Sequence, residues 1–190
     1  MGRPAVFLDR DGTLTEERGY IDRLELLSLY PWTGDALRLL KRGGFAVVVV
    51  TNQAGVARGL FDEALLGTLH REIDARLPPG AAPDAYYYCP HAPDAAIERY
   101  RRPCRCRKPA PGMIEQACRD LDLDPARSIT IGDRWRDVES GQAAGTGAVL
   151  VRTGHGAREA ASPPAGARAD AILGNLMEAV GWILRSSSRS

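Results

Sequence analysis

The sequence predicts an α/β fold, a doubly wound parallel sheet with helices on both faces. Three observations carry that expectation. Strand-like and helix-like segments alternate five times along 190 residues, the pattern of successive right-handed crossovers. The clearest strand, residues 45–51, is apolar without alternation, as a strand covered on both faces must be. Polar and acidic residues follow the strands directly: Asp9 and Asp11, Thr51 and Asn52, Asp133. In sheets of this kind ligands gather at the carboxyl ends of the strands.

The first strand, Val6-Phe7-Leu8, breaks off at Asp9-Arg10-Asp11-Gly12-Thr13. Residues 15–33 read as a loop beside that tip. A helix at about 34–42 stops at Gly43-Gly44. The 45–51 strand ends in Thr51-Asn52-Gln53-Ala54-Gly55, and Asp62 can cap a helix reaching about Leu77. That helix carries Leu66, Leu69, Ile73 and Leu77 at spacings of three and four, and Pro78-Pro79-Gly80 ends it. A third strand at about 84–88 leads into a loop holding three of the four cysteines. Pro111 opens a helix running to about Asp122. A fourth strand, 128–131, runs into Gly132-Asp133, and a helix at 136–144 ends near Gly145. A fifth strand spans 148–151. Residues 153–169, rich in Ala, Gly and Pro, read as a surface loop before a final helix at 170–184. The expected layout is one domain over 1–185, a loop insertion at about 89–108, and a disordered tail at 186–190.

The charge is nearly balanced, 25 basic against 24 acidic residues, so no global field argues for nucleic acid or a membrane surface. The start, Met1-Gly2-Arg3-Pro4, lacks the apolar core of a signal peptide, and no apolar run approaches the ~20 residues that span a bilayer. A cytoplasmic monomer acting on a small molecule is expected. Thiols stay reduced there, which points the cysteines toward metal before disulfides.

Asp9 and Asp11 stand one residue apart in extended backbone, so both can face one small volume. Carboxylates that close are tolerable with a cation between them or with one protonated. Both arrangements suit phosphoryl transfer, with Asp9 as nucleophile, Asp11 as acid and base, and Mg²⁺ neutralising the phosphate. The plain alternative is an Asp-Gly turn in a loop. Asp133 and Asp137 lie one helical turn apart and can join the same oxygen-rich site; a helix cap and a surface ion pair would be the alternative. Lys108, in Arg105-Cys106-Arg107-Lys108-Pro109, can reach phosphoryl oxygens together with the Thr51 hydroxyl, unless the run is only a solvated basic loop. Cys89-Pro90-His91 and Cys104-Arg105-Cys106 are two ligand-x-ligand pairs, matching a closed tetrahedral Zn²⁺ site. Incidental thiols or a disulfide are the alternatives. Zinc there would fix the backbone two residues before Lys108. Cys118 reads as a core residue and His70 as a surface one; His155 shows no partner.

At this point the chain resembles the haloacid-dehalogenase-type (HAD) phosphatases. The matching strings are Asp9-Arg10-Asp11-Gly12-Thr13, Thr51-Asn52-Gln53, Lys108-Pro109 and Gly132-Asp133…Asp137. More narrowly it is similar to the subgroup of heptose-bisphosphate and histidinol-phosphate phosphatases, whose zinc loop has the Cys89/His91/Cys104/Cys106 pattern. The resemblance implies a HAD-like sheet without a large cap domain and removal of the 7-phosphate of D-glycero-D-manno-heptose 1,7-bisphosphate through an aspartyl-phosphate. It implies Mg²⁺ held by Asp9, the Asp11 carbonyl and Asp133, with Asp137 supporting. Substrate contacts would fall on Glu17, Arg18, Gly19, Tyr20, Thr51, Asn52, Gln53, Ala54, Arg107, Lys108 and Arg134. A substrate with two phosphates needs a second anion contact, for which Arg18, Arg107 and Arg134 are available. Histidinol phosphate is the alternative substrate, and a catalytically silent zinc-stabilised binding protein the alternative from another class. A DNA 3′-phosphatase would want a basic, aromatic strip that the sequence lacks.

Overall fold

The computed structural model describes residues 2–187. Its strands are β1 (Ala5–Leu8), β2 (Ala46–Asn52), β3 (Ala85–Cys89), β4 (Ile129–Gly132), β5 (Gly147–Val151) and β6 (Ala171–Leu173). They form one sheet in the order β3-β2-β1-β4-β5-β6, every pairing parallel. The chain winds outward from β1 through β2 to β3, then returns to lay β4 against the other side of β1. That reversal opens a crevice between the tips of β1 and β4. Asp9 and Asp133 stand there.

The helices are α1 (Thr33–Arg42), α2 (Ala54–Ala57), α3 (Glu63–Arg76), α4 (Gly112–Leu121), α5 (Trp135–Ala143), α6 (Gly156–Ala161) and α7 (Leu176–Ser187). Period-two alternation along the strands decides which helix covers which face. Val6, Leu8, Val47, Val49, Val149 and Val151 pack with Leu37 and Leu40 of α1, Leu69 and Ile73 of α3, and Leu176, Val180 and Ile183 of α7. Their neighbours Phe7, Val48 and Val50 turn the other way, onto Met113, Ile114 and Ala117 of α4. Ala148 and Leu150 meet Trp135 and Val138 of α5. Both faces are dry, which is why the strands show no polar alternation. A smaller cluster of Val56, Ala57 and Phe61 with Ala92, Ala95 and Tyr100 fastens the loop after β3 onto the α2 turn.

The shared elements fall within one residue of their expected ends, and the departures are local. The final segment is not one helix from 170 to 184 but β6 followed by α7, so the sheet gains a sixth strand. Three residues are too few for a period to register, and Ala171-Ile172-Leu173 pairs only at the sheet edge, with Val149–Val151. The expected loop 153–169 contains α6, and α2 is a single turn that the sequence did not announce. Helix α7 continues through Ser187, past the expected onset of disorder at 186; residues 188–190 lie outside the described residues. His70 is buried rather than on the surface, its ring stacked on Tyr86 with centroids 4.3 Å apart. Burial drives its pKa down to about 4. Cys118 is half-buried at the rim of the α4 core. No helix among the described residues is long and apolar enough to cross a membrane.

Candidate active site

Asp9 directly follows β1, and its N–H extends the ladder by donating to Ile131 O at 2.9 Å. Its carboxylate accepts from Lys108 Nζ at 2.8 Å. Lys108 is 3% exposed, and its ammonium is fully used. It also donates to Val50 O at 2.8 Å and pairs with Asp137 Oδ1 at 2.7 Å, three donors for three acceptors. Burial works to lower the lysine's pKa, but the charges of Asp137 and Asp9 outweigh it and hold the value above the ordinary one. Asn52 puts the lysine there: its Nδ2 donates to Lys108 O at 3.1 Å, and its Oδ1 accepts the Lys108 N–H at 3.1 Å. The tip of β2 thus grips this loop as a neighbouring strand would.

Asp133 follows β4 and is 1% exposed. Its Oδ2 accepts the His155 N–H at 2.7 Å. Gly12 and Gly154, both at positive φ, close around it; a Cβ on either would lie 2.3 Å from Asp133 Oδ2. One oxygen each of Asp9, Asp133 and Asp137 lies within 4.8 Å of the others. Three buried carboxylates therefore face one ammonium. Burial, offset in part by Lys108, lifts Asp9 to about 6; burial, then the charges of Asp9 and Asp137, lift Asp133 to about 8. Surplus negative charge on an all-oxygen donor set fits a hard divalent cation such as Mg²⁺. Asp9 and Asp133 have oxygens free for it. Asp137, expected to support that shell, stands in the same carboxylate group, with Oδ1 in an ion pair with Lys108 and Oδ2 accepting the Arg134 N–H at 3.0 Å.

Asp11 turns its carboxylate away from this cluster. Arg10 Nε and NH2 donate to its two oxygens, each at 2.9 Å, and Gln53 Nε2 adds a third bond at 3.0 Å. Burial pushes Asp11 upward, but the Arg10 charge and these bonds prevail and hold its pKa below the usual carboxylate value. It stands ionised at neutral pH. Gln53 also donates to the Thr51 hydroxyl at 2.8 Å and accepts from Arg10 at 3.0 Å, so it ties the tip of β2 to the tip of β1.

A cavity of about 490 Å³ opens above these groups. It brings together Asp9, Asp11 and Asp133 with Glu17, Gly19, Tyr20, Thr51, Asn52, Gln53, Ala54, Arg107 and Arg134. Arg18, expected among them, lies outside the lining: its side chain is exposed and pairs with Glu16. Three lining residues escaped the sequence reading, namely Arg58, Arg136 and His155. His155 Nε2 lies 3.3 Å from Glu17 Oε2. Arg58 bonds the Tyr20 hydroxyl and donates to Asp94 Oδ2 at 2.7 Å, joining two walls of the cavity. His155 and Arg136 follow β5 and β4 by one helical turn, so the strand tips mark their positions in the sequence. Arg58 ends a helix too short to announce itself.

The second cluster is built from the loop after β3. Cys89 Sγ lies 3.6 Å from Cys104 Sγ and 2.9 Å from Cys106 Sγ; His91 Nδ1 lies 3.3 Å from Cys106 Sγ and 3.7 Å from Cys89 Sγ. A tetrahedral zinc thiolate site has edges of about 3.7 Å, given Zn–S bonds of about 2.3 Å. The donors therefore already stand near coordination spacing, and all four cysteines are free thiols. The hydrogen bond shared by Cys89 and Cys106 pulls the Cys106 thiol down to about 5 and pushes Cys89 up. Soft sulfur donors with one imidazole and no open position fit structural Zn²⁺. The cluster is fastened to the active edge at two points: Gln53 N–H donates to Cys89 O and Gly112 N–H to Arg105 O, each at 2.8 Å.

Fold and site together define a phosphoric monoester hydrolase with its carboxylates at the edge of a parallel sheet. The HAD-hydrolase-like family matches residues 105–179. The D-glycero-β-D-manno-heptose-1,7-bisphosphate 7-phosphatase of Haemophilus ducreyi is 40% identical over 186 residues, covering 96% of this chain and all of that one. Its namesake from Escherichia coli K12 is 43% identical over 177 residues, covering 92% and 91% of the two chains. Among solved structures, the D,D-heptose 1,7-bisphosphate phosphatase of B. bronchiseptica, complexed with magnesium and phosphate, superimposes with a TM-score of 0.80 at 31% identity, covering 96% of this chain and 99% of that one. The chain belongs to this heptose-bisphosphate phosphatase family of HAD-like hydrolases.

Two outcomes follow from the two clusters. Purified protein is expected to carry one zinc, and Cys106→Ser is expected to lower kcat at least about tenfold by loosening the Lys108 loop. Metal analysis with steady-state kinetics checks this, and full activity in zinc-free protein would contradict it. A raised carboxyl pKa means Mg²⁺ must displace a proton, so Mg²⁺ affinity should climb as pH rises through the values near 6 and 8 of Asp9 and Asp133, then level off. Calorimetry in buffers of different ionisation enthalpy should register proton release below that plateau. Affinity independent of pH would refute the assignment.

Proposed function

We propose that the chain removes the 7-phosphate from D-glycero-β-D-manno-heptose 1,7-bisphosphate, with Mg²⁺ at Asp9 and Asp133. The observation that carries the reading is the contact of Lys108 with Asp9 beside Asp133: a nucleophile, a cation and a metal ligand around one small space. The substrate is supported by relatives named for it that align over nearly the whole chain.

In this reading Asp9 adds to phosphorus as the bond between phosphorus and the C7 oxygen breaks, giving an aspartyl-phosphate. Asp11 gives its proton to the departing sugar oxygen. Ionised again, Asp11 takes a proton from water, and that water displaces Asp9 from phosphorus to release inorganic phosphate. Arg10 favours the base form of Asp11, so the resting arrangement suits the hydrolytic half-reaction; the first half-reaction needs Asp11 protonated. Lys108 and the Thr51 hydroxyl donate to the phosphoryl oxygens. A bound Mg²⁺ would supply charge neutralisation at those oxygens. Glu17, Gly19, Tyr20, Asn52, Gln53, Ala54, Arg107 and Arg134 contact the sugar or its second phosphate. Zinc holds the loop and does no chemistry. Every residue named comes from one chain, so the reading needs no second subunit.

Side-by-side kinetics on the β anomer, the α anomer and histidinol phosphate test the substrate. The β-heptose bisphosphate is expected to give the highest kcat/KM, and preference for histidinol phosphate would overturn the reading. Asp9→Asn is expected to cut turnover at least about 1,000-fold with unchanged circular dichroism and zinc content. Turnover near the unaltered rate would reject Asp9 as nucleophile, and no hydrolysis by the unaltered chain would favour a silent binding protein.

A further inference from the structure

Two buried nitrogens beneath the strand tips lack partners. Arg10 is 1% exposed, and its guanidinium is only partly used. Nε and NH2 donate to the two Asp11 oxygens, and NH2 also to Gln53 Oε1. NH1 has no hydrogen-bond partner among the described residues. His70 of α3 is 8% exposed, and its Nε2 likewise has none. The two side chains share one region. The charges of Arg10 and Asp11 both act on the His70 ring, and that of Arg10 also acts on Tyr86, on which the ring is stacked.

The two groups are complementary. Arginine can only donate, and a neutral imidazole accepts at whichever nitrogen carries no proton. Burial keeps His70 neutral, since it drives the pKa to about 4. A buried donor or acceptor left unpaired is costly, so an idle donor near an idle acceptor calls for a link. No direct bond joins them. One internal water, accepting from Arg10 NH1 and donating to His70 Nε2, satisfies both. The ring proton then belongs on Nδ1. Arg10 grips Asp11 by its Nε and NH2 edge, which leaves NH1 as the corner by which the planar guanidinium can be held from behind.

We infer that His70 is a positioning residue: through one buried water its Nε2 holds Arg10 NH1, and Arg10 in turn aims the Asp11 carboxylate. This rests on the acid–base role given to Asp11 above and goes beyond it by adding a residue of α3 to the same chain of contacts. His70 is absent from the cavity lining, so it acts through Arg10 and touches neither substrate nor the reacting phosphoryl group.

The test separates the acceptor from the ring. His70→Phe keeps an aromatic face for Tyr86 and removes the nitrogen, whereas His70→Gln loses the ring and keeps an acceptor. On heptose 1,7-bisphosphate, His70→Phe is expected to lower kcat about 3- to 10-fold, as for loss of one hydrogen bond. KM should hardly move, because the contact aims a proton carrier and binds no substrate. His70→Gln should recover most of the loss. In an Arg10→Lys background His70→Phe should cost nothing further, since the two residues act as one unit. Additive losses in that cycle, full activity in His70→Phe, or a loss in His70→Gln as large as in His70→Phe would each overturn the inference. NMR of the ring nitrogens in the unaltered protein is expected to show His70 as the Nδ1–H tautomer at neutral pH, and the Nε2–H tautomer would overturn it without any variant. That arm uses no substrate, so it decides the inference even where the functional reading fails. Failure of that reading shows separately, as no hydrolysis of heptose bisphosphate by the unaltered enzyme.

Discussion

A lysine almost without access to water sets the geometry of this molecule's active edge. A buried ammonium is tolerable only when each N–H meets an acceptor and its charge is matched. Lys108 satisfies that condition through Asp9 at the end of β1, the Val50 carbonyl of β2 and Asp137 on α5. Three elements distant in sequence are therefore obliged to converge on one point. The lysine itself arrives on a loop with no regular structure, so its delivery depends on Asn52, which holds its backbone, and on the thiol cluster two residues upstream.

The same arrangement leaves the site short of positive charge. Lys108 balances one carboxylate of three, and burial with mutual repulsion lifts Asp9 and Asp133 toward neutral pH. A divalent cation resolves that imbalance, and an incoming phosphate then restores it in the other direction. The polar residues divide accordingly. Gln53 and Arg10 fix the Asp11 carboxylate, Asn52 fixes Lys108, and the His155 N–H with Gly12 and Gly154 fixes Asp133. Asn52 and Gln53 line the cavity as well, so residues expected to touch substrate also hold the residues that act on it.

What the sequence revealed and what it hid follow from how each feature is encoded. Asp9, Asp11 and Asp133 were legible because each ends an apolar run that can only be a buried parallel strand. The cluster of Cys89, His91, Cys104 and Cys106 was legible because cysteine is scarce and its spacing is short. The sheet was readable up to β6, whose three residues carry no period. Arg107 and Arg134 were legible from the motifs they stand in, but Arg58 and Arg136 were not: nearly every basic residue of this chain is arginine, so they look like any solvated position. Arg18 illustrates the converse, standing beside cavity residues yet turned outward to Glu16. His155 meets Glu17 only because β5 and the loop after β1 end on the same edge, a proximity that no local pattern records. His70 looked like a surface residue until Tyr86 of β3 supplied a flat face for it.

The central claim is that Asp9, released from Lys108, bonds to phosphorus while the lysine follows the transferring oxygens. The most direct measurement is acid quenching of the unaltered enzyme during turnover of a substrate labelled at the reacting phosphate, followed by peptide mapping. The account predicts an acid-stable, hydroxylamine-sensitive label on the peptide containing Asp9. Steady product formation with that peptide unlabelled, or with the label on another residue, would contradict it.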